Sequence, residues 1–134
     1  MAITAAVTLT SAAGDLLTDA LALSDTTELT TAGTSTAVAL TAGLARKTVA
    51  GAHGQYTLYD GTDYTADKAH KVYLKNMSTT AAEYFLITIN GEDLGRLYAG
   101  DWAFFPWSAH DADNDIKIDP SANDMTLEHM LFHE

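Results

Sequence analysis

The run Tyr84-Phe85-Leu86-Ile87-Thr88-Ile89, followed by Asn90-Gly91 and then by Leu94-Gly95-Arg96-Leu97-Tyr98, decides the fold class of this chain. Its first six residues form the most apolar strand in the sequence, built from aromatic and β-branched side chains that suit a pleated sheet. Asn90-Gly91 is a hairpin signal, because a tight two-residue turn needs positive φ at both central positions and these two residues tolerate it. The second run is the returning strand.

The same rhythm continues on both sides. Ala99-Gly100-Asp101 turns into Trp102-Ala103-Phe104-Phe105-Pro106-Trp107. In an extended chain Trp102, Phe104 and Pro106 face one way, and Phe105 and Trp107 the other. Pro106 cannot donate to a ladder and marks a strand end or a sheet edge. Upstream, Lys71-Val72-Tyr73-Leu74-Lys75-Asn76 alternates with Val72 and Leu74 inward. Downstream come the short Ile116-Lys117-Ile118 and a last strand from Met125 to His133, with Met125, Leu127, His129 and Leu131 on one face. Tyr56-Thr57-Leu58-Tyr59 runs into the turn signal Asp60-Gly61, and residues 60–70 read as polar loop.

The first 50 residues differ in composition. Half of them are Ala or Thr, none is aromatic, and no base precedes Arg46, whereas Asp15, Asp19, Asp25 and Glu28 are acidic. Ile3, Ala5, Val7 and Leu9 alternate with Thr4, Ala6, Thr8 and Thr10, the pattern of a half-buried strand with a Thr-rich outer face. Residues 15–23 fit either a strand or a short helix, and residues 36–41 alternate again. Three runs ending in Leu-Thr-x-Ala-Gly or a close variant stop at Gly14, Gly33 and Gly43, where glycine supplies a turn. Residues 44–55 read as a flexible link. The expected fold class is therefore all-β, an antiparallel β-sandwich or jelly-roll-like domain. Residues 1–54 form an Ala/Thr-rich region of strands or an assembly arm, and residues 55–134 an aromatic-rich core, as one structural unit overall.

The whole chain is the size of one domain at 134 residues. Its formal net charge of −11 argues against a polyanion-binding surface, so no nucleic-acid partner is expected. The absence of cysteine removes disulfides, thiolate metal sites and cysteine nucleophiles. No apolar run approaches the roughly 20 residues of a membrane span, and residues 1–13 lack the basic and apolar regions of a signal peptide. The expectation is synthesis in a cytoplasm with no membrane partner.

Chemistry-bearing motifs are few. Asp111, Asp113 and Asp115 are the calcium candidates. The EF-hand pattern fails at its sixth position, Ile116, and its twelfth, Ala122, so a solvated acidic loop is the expectation. His129 and His133 share a face, but on a strand they stand about 13 Å apart, too far for one metal. No nucleophile elbow or phosphate-binding glycine loop occurs. Catalytic residues and cofactors are thus expected to be none. The aromatic run Trp102–Trp107 reads either as a core strand or as a docking face, since Trp and Tyr are favoured interface anchors; sugar stacking is a third reading. The first basic pair, Arg46-Lys47, reads as an exposed link or as an anchor onto an acidic partner. The partner-interface candidates are Arg46, Lys47, Tyr98, Trp102, Phe105 and Trp107.

The segments Lys71–Asn76 and Leu94-Gly95-Arg96-Leu97-Tyr98-Ala99-Gly100-Asp101-Trp102-Ala103-Phe104-Phe105-Pro106 resemble a group of short virion structural proteins of tailed bacteriophages, notably phages of aquatic cyanobacteria. Thr126-Leu127-Glu128 and Gly43-Leu44-Ala45-Arg46-Lys47 fit the same frame; His129 stands where an aromatic is expected. The group includes candidate head decoration (cement) proteins. The resemblance implies a non-enzymatic β-rich subunit on the virion. It would bind the major capsid protein between neighbouring subunits and associate with itself, as a homotrimer, on the capsid surface. A tail or fibre component that binds host glycan or protein is the alternative.

Overall fold

The computed structural model describes residues 2–110 and 112–134, and the chain divides into two compact units, residues 1–39 and 40–134. The first unit is an antiparallel ribbon of β1 (Thr4–Ser11) and β2 (Leu21–Glu28), with Leu9 opposite Leu23 and Val7 opposite Asp25. A single bridge, Thr30 to Ala37, follows it. The period-two pattern therefore gives the expected strand at β1. The half-burial it suggested does not follow: Val7 is 37% exposed, Leu9 51% and Leu23 44%. A two-stranded ribbon has a second face but no second layer.

The second unit is all-β, two antiparallel sheets packed together as a sandwich. One sheet contains β3 (Leu40–Thr41) and β4 (Ala45–Val49), both beside β11 (Met125–His133), and continues through β6 (His70–Asn76) to β9 (Trp102–Trp107). The other runs β5 (Tyr56–Tyr59), β10 (Ile116–Pro120), β7 (Tyr84–Ile89), β8 (Glu92–Tyr98). Val49, Val72, Leu74, Leu127 and Leu131 from the first sheet meet Tyr59, Phe85, Ile87, Ile116 and Ile118 from the second in one buried cluster. The β7–β8 turn is as the sequence reads it, with Asn90 at φ 54° and Gly91 at φ 73°. Gly14, Gly33 and Gly43 also have positive φ.

Two sequence expectations shift. Residues 44–55 are not simply a link, because Ala45–Val49 pairs along β11 from His129 back to Met125. The two compact units divide at 39/40, and the ladder binds β4 into the core sheet. Residues 36–41 yield only the Ala37 bridge and the two-residue β3.

Candidate functional site

The face of the β11–β6–β9 sheet turned away from the core carries an aromatic and basic surface. The register sets Lys75 beside Trp102 and Glu128, Tyr73 beside Phe104 and Met130, and Lys71 beside Pro106 and Phe132. Trp102 is 55% exposed, Phe104 and Pro106 are exposed, and Tyr73, Met130 and Phe132 are half-buried. Phe104 and Phe132 meet edge to face with centroids 6.4 Å apart. Arg46 Nε donates to Glu128 Oε2 at 3.0 Å, and the Tyr73 hydroxyl donates to Glu128 Oε1 at 3.2 Å. The Arg46 hydrogen bond foremost holds the Glu128 carboxyl below the usual carboxylate range. Burial, then the Glu128 hydrogen bond, pushes the Tyr73 phenol up. Lys71 and Lys75 are the remaining cations of this face. Among the described residues the outer side of β9 pairs with no other strand, so its backbone edge is open as well.

The six interface candidates separate by face. Trp102 is exposed on this surface, and Arg46 belongs to it through Glu128. Phe105 is half-buried against the core. Trp107 is 3% exposed and its Nε1 donates to Asn114 O at 2.9 Å, so it is a core anchor whose one polar atom is satisfied. Tyr98 is exposed on the edge strand β8, and its ring meets Tyr84 at 5.3 Å. The Lys47 ammonium sits over the Tyr56 ring at 4.6 Å.

A second cluster fills one end of the sandwich core and has no local signature in the sequence. Tyr59, Tyr64, His70, Trp107, His129 and His133 come from six separate positions and meet edge to face or tilted, with ring centroids 5.2–6.4 Å apart. The Tyr59 hydroxyl and His129 Nδ1 are 2.7 Å apart. Burial, then Tyr64, pushes the Tyr59 phenol far up, so it keeps its proton in this hydrogen bond. Burial, then Lys47, holds the His129 imidazole down. His70 is fully buried; its Nε2 donates to Thr65 O at 2.8 Å, and its Nδ1 has no partner among the described residues.

The carboxylates of the acidic loop have different environments. Asp115 is buried and its Oδ1 accepts from Gly61 N at 2.8 Å, which ties the loop to the 3-10 turn Gly61–Asp63. Asp113 is exposed, and Asp111 lies outside the described residues. Among the described residues no three His, Asp or Glu side chains converge as a metal ion requires. The Ser78 hydroxyl hydrogen-bonds Glu83 and accepts from Thr80 N, which is turn architecture. No helix among the described residues is long and apolar enough to cross a membrane. Compared with protein-family models, curated proteins and solved structures, the chain finds no match.

Proposed function

We propose that this chain is a non-enzymatic structural subunit of a tailed-phage virion, a decoration protein that binds the head shell and stabilises it between neighbouring capsid subunits. The observation that carries the reading is the β1–β2 ribbon. Its apolar face holds Ala5, Val7, Leu9, Leu21 and Leu23, and its tip holds Leu16 and Leu17 at 75% and 51% exposure. A bare two-stranded ribbon is marginal in water, so such a face is built to be covered by another surface. Decoration needs only buried interface and multivalent attachment, and this chain offers a rigid sandwich with a separate ribbon for that purpose. The resemblance of the β6 and β8–β9 segments to virion proteins supports the same role.

A tail or fibre component that binds host glycan or protein is the second reading, and exposed Trp102 is the observation in its favour. Buried Trp107 counts against it, since only one of the two tryptophans is available to a ligand. Cryo-EM of assembled particles separates the two by position. Deleting residues 1–35 should reduce head occupancy and heat resistance. Heads that keep both would overturn the ribbon's role in attachment.

A further inference from the structure

The outer sheet face and the ribbon are complementary in two respects, polarity and charge. The face presents Trp102, Phe104 and Phe132 with two cations, Lys71 and Lys75, beyond the internally matched Arg46–Glu128 pair. The ribbon presents Val7, Leu9 and Leu23 with Asp25 on one face and Leu16 and Leu17 with Asp15 and Asp19 at its tip, Glu28 lies on the opposite face beside Thr4, and residues 1–45 contain no Lys or Arg. At the tip, Asp15 and Asp19 bracket Leu16 and Leu17; on β6, Lys71 and Lys75 bracket Tyr73 at a spacing of about 13 Å.

Charge decides among the ways two copies could meet. Two outer faces set against each other oppose surfaces that each carry Lys71 and Lys75 beyond the Arg46–Glu128 pair. Two ribbons face to face oppose surfaces that are each acidic, since Asp25 lies on the apolar side opposite Val7. Like charges opposed across an interface suppress association. Of these three pairings, ribbon against outer face is the one that matches acid with base and leucine with aromatic. We infer that the β1–β2 ribbon of one copy docks on the Trp102–Phe104–Phe132 face of a second copy. The contact is heterologous, so it closes into a ring or propagates from copy to copy. It uses the same ribbon face that the proposed function leaves to be covered and names a neighbouring copy as the surface that covers it; association of the free protein reads this apart from head occupancy.

The full-length protein tests it by sedimentation over micromolar to millimolar concentrations. Self-association that weakens with salt is expected. Lys71→Glu with Lys75→Glu should weaken it by about tenfold or more, and adding Asp15→Lys with Asp19→Lys should restore it. Because the chain has no cysteine, single cysteines report the geometry. Leu17→Cys protein mixed with Phe104→Cys protein should give a disulfide-linked mixed dimer, and the mixture should outyield either protein alone. A strictly monomeric protein overturns the inference. So does a charge reversal without effect, or a Phe104→Cys protein that links to itself as readily as to its intended partner. A ribbon that seats on its own chain also overturns it: the double-cysteine chain then closes internally while the single-cysteine mixture stays unlinked.

Discussion

Asn76→Ala should destabilise the sandwich by about 3 kcal/mol. Asn76 is fully buried at the end of β6. Its Nδ2 donates to Leu97 O at 2.9 Å and to Glu83 O at 3.3 Å, and its Oδ1 accepts from Ser78 N at 2.9 Å. Because β6 and Leu97 belong to different sheets, this amide ties the two layers together. Three hydrogen bonds at roughly 1 kcal/mol net each give the total. With a urea slope of about 2 kcal/mol per M, the midpoint should fall by about 1.5 M. Tryptophan fluorescence reads it cleanly, since Trp102 and Trp107 both lie in the sandwich. Asn76→Asp is sharper still. An ionised carboxylate cannot donate and would face two carbonyl oxygens. Burial raises its folded pKa above the ordinary value of about 3.9, so the folded state binds more protons than the unfolded one. Its stability relative to the parent protein is then greatest in acid and declines as pH rises through the raised pKa. A midpoint for Asn76→Ala within about 0.3 M of the parent refutes the layer-tying role. So does an Asn76→Asp penalty that is smaller at about pH 7 than at about pH 5.

His129 should make the sandwich acid-sensitive. Its folded pKa lies below its ordinary 6.5, so its contribution is present above that value and lost as pH falls through the folded one. Urea midpoints followed from neutral to mildly acidic pH should fall less steeply in His129→Gln. Asp115→Ala leaves Gly61 N without its acceptor and should cost about 2 kcal/mol in denaturant. In the parent protein, millimolar calcium should leave the thermal midpoint unchanged, because Asp115 is already committed. Residues 40–134 alone should unfold cooperatively with blue-shifted tryptophan emission, since the buried cluster runs from Val49 to Leu131. A fragment lacking a cooperative transition would contradict that.

The core strands were legible because their two faces meet different media. Val72 and Leu74 alternate with Lys71, Tyr73 and Lys75, and the sheet sorts them inward and outward as the pattern requires. Trp102–Trp107 was harder, since both of its faces are aromatic and alternation cannot say which is covered. The packing of a second sheet against Phe105 and Trp107 resolves it, leaving Trp102 and Phe104 outside. Ala45–Val49 was missed because its side chains carry little strand signal; its identity comes from the ladder with β11. The ribbon shows the converse: the alternation at Ala5, Val7 and Leu9 reports a face suited to burial but carries no information about what covers it. The Tyr59–His129 and Tyr64–His133 contacts join residues about 70 positions apart, and no local spacing encodes them.

The order in which the strands are made differs from the order in which they lie. β10 sits between β5 and β7, and β11 sits between β4 and β6, so in each sheet one interior strand follows all its neighbours in the chain. During synthesis β4 and β5 leave the ribosome long before any partner exists. Their pairings close loops of about 57 to 84 residues, the non-local kind that forms slowly. The β1–β2 ribbon and the β7–β8 hairpin can form locally at once, while the core waits for residues 116–133. A nascent chain stalled before that point holds strand edges and half a core with nothing to close them, which makes it a natural substrate for chaperones. Completion is then abrupt, with both layers gaining their central strands together.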